Sequence, residues 1–180
     1  MSKIRVVHYI NQFFAGVGGE EQAHIEPELR KELPPISQQL QDKLGEEFEI
    51  VAAVVCGDSY FNENLEKAQA TLLEMIKGEN PQLFIAGPAF NAGRYGVAAG
   101  TITKLIQDEL HIPAVTAMYI ENPGVDMYRK DIYIVEATDS AAGMRKVLPK
   151  LAKLAAKLAK GEEILSPAED GYIAKGVRVN

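Results

Sequence analysis

Residues 82–100 read QLFIAGPAFNAGRYGVAAG. Leu83 to Ala86 form a continuous apolar run of strand length, Gly87 and Pro88 break it, and apolar residues return at helical spacing at Val97, Ile102, Leu105 and Ile106. A strand with no polar alternation is buried on both faces, as in a parallel sheet covered by helices on two sides. The unit therefore reads as a buried strand, a glycine-rich turn and a helix over 97–110.

The same grammar extends in both directions. Strands are expected over Ile4 to Ile10, FEIVAAVV (48–55), PAVTAMY (113–119) and DIYIVEA (131–137). Helical spacing appears at Ile36, Leu40 and Leu44, then at Leu65, Ala68, Leu72, Leu73 and Ile76 up to Gly78. Ser140 to Lys160 forms a long amphipathic pattern with Pro149 inside it, predicting a kink or a break there. Residues 11–35 read as a long loop with a short helical turn, and ENPGVDMYRK (121–130) as a link holding a turn or a short antiparallel excursion. The expected fold is α/β: a three-layer, doubly wound, mostly parallel five-stranded sheet, Rossmann-like or flavodoxin-like, with flavodoxin-like strand order favoured. One α/β domain is expected over 1–180, with 161–180 an extended C-terminal tail.

Composition narrows the function classes. The chain has 180 residues, 47% apolar and 24% charged, with a formal net charge of −6. No broad basic face is available for phosphates, so nucleic acid is not an expected partner. The apolar runs are strand-sized and no secretory leader pattern opens the chain, so no membrane partner and a cytoplasmic location are expected. One cysteine, Cys56, permits no internal disulfide. No HxH, HExxH or CxxC spacing occurs, so no metal is expected, and there is no GxSxG elbow. The lysine-rich helix at 150–160 reads as a solvated surface helix packed on the sheet.

Ligands of doubly wound sheets bind outside the carboxyl ends of the strands. Each strand here is followed by a polar or glycine-rich segment: NQFFAGVGGEE (11–21), CGDSYFNEN (56–64), GPAFNAGRYG (87–96), ENPGVD (121–126) and TDSAAG (138–143). All five are expected at one rim. The candidate substrate-binding residues are Asn11, Gly18, Gly19, Glu20, Glu21, Asp58, Asn91, Arg94, Tyr95, Glu121 and Asn122. Asn91 is a candidate N-cap, with Gly93 and Gly96 leaving helix N–H groups open to a small anion and Arg94 gripping a carboxylate. The alternative is tight helix packing at the glycines and a solvated arginine. Glu20 and Glu21 face an ammonium group or form a solvated loop tip. Phe13 and Phe14 form an aromatic wall for an alkylammonium group or pack the loop onto the sheet. Cys56 is the one candidate catalytic residue, a thiol at a strand end, and is otherwise a small core residue. Asp58 alternatively caps the helix after it.

Long blocks of the sequence carry a resemblance. VVHYINQFFAGVGGEE (6–21), VVCGDSYFNEN (54–64), FIAGPAFNAGRYGVAAG (84–100), PAVTAMYIENPGVDMYRK (113–130), SAAGMRKVLPKLAKLAAKLAKGEEI (140–164) and GYIAKGVRVN (171–180) are similar to the selenoprotein subunit of component B of glycine, sarcosine and betaine reductases. The resemblance implies a role in reductive C–N cleavage of a small amino acid or N-methylated amino acid. It implies a pyruvoyl group on a partner subunit and a selenocysteine nucleophile, with the carboxymethyl group passing to a selenoprotein A partner. The setting it implies is anaerobic and cytoplasmic. The family's subunit is longer, and its selenocysteine lies in a C-terminal half that this sequence does not match. There is no selenocysteine here, HIEPELRKELPPISQQLQDKLGEE (24–47) departs from the Pro/Gly-rich connection that the resemblance leads one to expect, and Ala98 stands where it leads one to expect a cysteine in many relatives.

The expected role is a component B-like subunit that contributes a small-carboxylate pocket and docks other reductase subunits, binds no cofactor itself and is inactive alone. Two alternatives are a non-catalytic assembly module with a vestigial cleft and a stand-alone enzyme using Cys56. Homo-oligomerisation is left open.

Overall fold

A computed structural model describes residues 2–176 of the chain. The strands are β1 (Ile4–Asn11), β2 (Glu28–Arg30), β3 (Phe48–Cys56), β4 (Leu83–Ala86), β5 (Ala114–Tyr119) and β6 (Tyr133–Ala137). They form one sheet in the order β2-β3-β1-β4-β5-β6. Every pairing is parallel except β2 with β3. The five parallel strands are those read from the sequence, and their order is the flavodoxin-like one. The sixth strand corrects the count: β2 lies inside the long loop, where Glu28, Leu29 and Arg30 pair with Val55, Val54 and Ala53. Three residues with one apolar side chain carry no usable periodicity, so only the free edge of β3 makes them a strand.

The helices are α1 (Pro35–Leu44), α2 (Asp58–Glu63), α3 (Leu65–Gly78), α4 (Gly93–Leu110), α5 (Pro123–Tyr128), α6 (Met144–Ala159) and α7 (Pro167–Asp170). They cover the two faces of the sheet. Leu72, Ile76, Tyr95, Ile102, Ile106 and Val125 pack with Val7, Tyr9, Val54 and Phe84 on one face. Leu40, Leu44, Leu148, Leu151 and Leu154 pack with Val6, Ile50, Leu83, Ile85 and Val115 on the other. Each fully buried Leu, Ile or Val contributes about 1.5–3 kcal/mol relative to exposure.

Three expectations about connections change. The link 121–130 holds α5, so the last crossover is helical like the others. Helix α4 begins at Gly93 rather than Val97, and α6 runs from Met144 through Pro149 without a break. Glycines make poor helix interiors in isolation, but here they admit a neighbour. A Cβ on Gly96 would overlap the Asn122 side chain, and one on Gly100 would overlap Tyr128. Helix α5 therefore lies against a groove of missing side chains, and that packing outweighs propensity.

The edge of the parallel strands at β3 and the far edge at β6 are each met by a further segment. β2 lies along β3, and at the far edge Tyr172 bridges Val135 antiparallel while Ile173 N–H donates to Ile134 O at 2.7 Å. The segment read as an extended tail thus carries α7 and this edge pairing; its last residues, 177–180, lie outside the described residues.

Candidate functional site

β1 and β3 end side by side, with Asn11 paired to Cys56. Asn11 then ties three segments together. Its Oδ1 accepts the Phe14 N–H at 3.1 Å, turning the chain, and its Nδ2 donates to Asp58 Oδ2 at 3.0 Å. Gln12 Oε1 accepts the Asp58 N–H at 3.1 Å. The returning loop is pinned from the other side, since Ala23 O accepts the N–H groups of Ser59 and Tyr60.

Above these residues opens a cavity of about 390 Å³. Its aromatic wall is Phe13, Phe14, Phe90 and Tyr95. Phe14 is the hub, with its ring centroid 5.2 Å from Phe13 and 6.1 Å from both Phe90 and Tyr95. Its polar lining includes Asn11, Gln12, Glu20, Asp58, Asn91, Asp139 and Ser140. Asp58 is buried, and its Oδ1 has no hydrogen-bond partner. Desolvation pushes its carboxyl up to about 6, against the opposing hydrogen bond from Asn11 and the charge of Arg94.

Arg94, in the first turn of α4, stands at the rim. Its guanidinium donates to Ser59 Oγ and to both carboxylate oxygens of Glu20. The guanidinium does hold a carboxylate, the protein's own, but through Nη2 alone rather than with two parallel hydrogen bonds, because Nη1 is engaged by Ser59. Beneath the loop, His8 is buried; its Nε2 lies 2.7 Å from Gly87 O and its Nδ1 2.8 Å from Ser37 Oγ. Burial lowers its pKa to about 4, so the ring is neutral, donating from Nε2 and accepting at Nδ1. It steadies the Gly87–Phe90 turn that carries the pocket wall.

The family model described as glycine/sarcosine/betaine reductase selenoprotein B matches residues 3–180. The chain belongs to this family. It is 72% identical over its whole length to glycine reductase complex component B subunit gamma of Peptoclostridium litorale. It is 57% identical over its whole length to sarcosine reductase complex component B subunit beta of Peptoclostridium acidaminophilum. Against betaine reductase complex component B subunit beta of the same organism the identity is 37% over 97% of the chain. The matches cover 41%, 41% and 40% of those relatives, so the chain spans about two fifths of their length. No solved structure matches it.

In this chain the expected convergence on the rim is found in part. Four of the five segments line the pocket: those after β1, β3, β4 and β6. Of the candidate residues, Asn11, Gly19, Glu20, Asp58, Asn91 and Tyr95 line it, and Arg94 reaches it through Glu20. Gly18 and Glu21 do not line it; Glu21 turns back to accept the Gly19 N–H at 2.9 Å. Backbone N–H groups, its own first and then that of Gly19, hold its carboxyl below the ordinary range.

The segment after β5 does not line the pocket. Glu121 is exposed away from it, and Asn122 is buried under α4. Asn122 caps α5 by accepting the Gly124 N–H, and its Nδ2 donates to Phe90 O at 3.0 Å and Ala92 O at 3.1 Å. That corrects the cap expected of Asn91: the residue before α4 is Ala92, with no side-chain cap, and Asn122 satisfies the carbonyls there from a distant segment. Asp58 does not cap α2 either.

Cys56 is fully buried and does not line the pocket. Desolvation, with the Asp58 charge, pushes its thiol up to about 12. A thiol so far from ionisation is a core side chain rather than a nucleophile. Gln12, Phe90 and Asp139–Ala141 are lining residues beyond the candidate set; their place in the polar or glycine-rich segments 11–21, 87–96 and 138–143 after strand ends is their local signal. Among the described residues no cluster of His, Cys, Asp and Glu is arranged for a metal, and no helix is long and apolar enough to cross a membrane.

Proposed function

We propose that this chain serves as a component B-type subunit of an amino-acid reductase complex, holding a small zwitterionic amino acid or N-methylated amino acid for reductive C–N cleavage. The observation that carries this reading is the pairing, in one pocket, of an aromatic wall with the desolvated Asp58 carboxylate, beside the Arg94 guanidinium. Aromatic faces and a carboxylate attract an ammonium end; a forked guanidinium takes the carboxylate end. Small-molecule sites combine such apolar walls with a few convergent polar groups. In this reading the substrate carboxylate replaces Glu20 on Arg94.

The bond-breaking groups belong elsewhere in the proposal. A pyruvoyl group on a partner subunit and a selenocysteine beyond the matched residues supply the chemistry, with selenoprotein A as acceptor. The chain's own residues bind, orient and dry the substrate. Phe13, 59% exposed at the pocket mouth, is the docking contact for a partner subunit. The complex works in the cytoplasm, and the chain alone reduces nothing.

A second reading, a non-catalytic assembly module with a vestigial cleft, draws support from Arg94 being already satisfied by Glu20. Calorimetric titration with glycine, sarcosine and betaine separates the two. The substrate-pocket reading expects binding of at least one of them and a loss of tenfold or more in Arg94→Ala. The module reading expects no heat from any of them.

A further inference from the structure

Three side-chain polar atoms among the described residues are buried without a well-formed hydrogen bond: Tyr9 Oη, Asp58 Oδ1 and Tyr95 Oη, the last with only the Asn11 backbone acting on it weakly. They are not scattered. Asp58 and Tyr95 both line the pocket, and the Tyr9 ring stands behind Tyr95 with centroids 6.4 Å apart. Both tyrosines are fully buried, and burial holds their hydroxyls well above the ordinary phenol range, so each keeps its proton. Buried polar groups are nearly always paired, and an orphan costs about 1–3 kcal/mol. Two of these atoms belong to residues on the pocket wall and the third to a ring packed against one of them, so together they mark this wall as a place for a hydrogen-bonding ligand.

Resting on the pocket reading above, we infer that Asp58, Tyr9 and Tyr95 form a specificity-determining floor that takes an ammonium group through its N–H bonds and discriminates against a quaternary ammonium. An N–H donor can satisfy the carboxylate oxygen and the hydroxyl lone pairs. A trimethylammonium group brings the same charge and suits the aromatic wall, but it has no N–H and leaves the three oxygens unpaired. Sites built around buried hydrogen bonds reject ligands that lack the partner far more strongly than apolar pockets reject a methyl group. The floor therefore opposes the preference that Phe13, Phe14 and Phe90 would impose by cation–π attraction alone.

The test is calorimetric titration of the chain with glycine and its mono-, di- and trimethylated forms, repeated on Tyr9→Phe and Tyr95→Phe, with thermal melts confirming folding. Tyrosine to phenylalanine keeps the ring and removes only the hydroxyl. The expected result is affinity that falls as N–H bonds are lost, with the trimethylated form at least tenfold weaker than the best binder. Each Phe variant should weaken the N–H-bearing ligands severalfold and leave the trimethylated form unchanged, which a merely structural role would not do. Equal binding of all four, or preference for the trimethylated form, overturns this inference and leaves the pocket reading standing. No binding by any ligand overturns both. A crystal structure with ligand bound, in which one ordered water still bridges all three oxygens, also overturns it.

Discussion

Asn11 Nδ2 donates to Asp58 Oδ2 at 3.0 Å, joining the end of the first strand to the start of the helix that follows the third. Asn11 leaves the carboxylate half-satisfied: one oxygen is held in place while the other stays bare and buried. The pocket's most consequential charge is thus positioned by a neutral amide, and its cost in isolation is kept for a ligand to offset.

That cost should appear in the pH dependence of stability. Asp58 titrates at about 6 in the folded chain, above its ordinary 3.8, so its contribution favours folding at low pH and is lost as pH rises from about 4 to 6. His8 titrates at about 4, below its ordinary 6.5, so its contribution is present above about 6.5 and is lost as pH falls towards 4. At about 1.4 kcal/mol per pH unit, each amounts to roughly 3 kcal/mol, with opposite sign, in nearly the same window. Asp58→Asn should therefore be more stable than the parent chain by about 1–3 kcal/mol above pH 6 and equal to it below pH 4. Its stability should fall more steeply on acidification. Urea midpoints at pH 4, 5, 6 and 7 check this; parallel curves for the two proteins would contradict it.

Arg94 is held by Glu20, and under the proposed function a substrate carboxylate would have to displace it. Glu20→Gln should tighten binding of a small amino acid severalfold, whereas Arg94→Ala should weaken it tenfold or more. Neither should move the melting temperature much, because an exposed ion pair contributes about 0–1 kcal/mol. Parallel calorimetry and thermal melts separate the two effects, and tighter binding in Arg94→Ala would refute the competition.

Gly96 and Asn122 interlock. Gly96→Ala forces a methyl group into the Asn122 side chain and should destabilise the chain by about 1–3 kcal/mol. Asn122→Ala leaves the Gly124 N–H without its acceptor and removes the second hydrogen bonds of Phe90 O and Ala92 O, which keep the Tyr119 and Gly96 N–H groups, and should cost about 1–3 kcal/mol. In the double variant the new methyl occupies space that the missing amide vacates. Denaturant melts should then show a loss smaller than the sum of the singles; strict additivity would mean that the two residues do not share a site.

Cys56 should behave as a core residue. The native chain at pH 8 should resist a thiol-labelling reagent that reacts fully once urea is added, and Cys56→Ala should retain ligand binding. Rapid labelling of the folded chain would show the thiol to be open after all.

The five parallel strands, their helices and the rim on which the pocket lies were legible in the chain order, because each is written locally. Continuous apolar runs such as Leu83–Ala86 mark strands buried on both faces, and the polar segments after them mark the carboxyl rim. What remained hidden depends on partners far away in sequence. β2 exists because β3 has a free edge, and α5 lies where it does because α4 lacks side chains at Gly96 and Gly100. Asn122, read as a ligand for substrate, is spent on the carbonyls of Phe90 and Ala92. Arg94 meets Glu20 across a loop, and Asp58, Tyr9 and Tyr95 share a buried floor although 86 residue positions separate the two tyrosines. Periodicity reports which face of an element is buried; only packing sets what each buried polar atom finds there, since hydrogen bonds are satisfied in space and not along the chain.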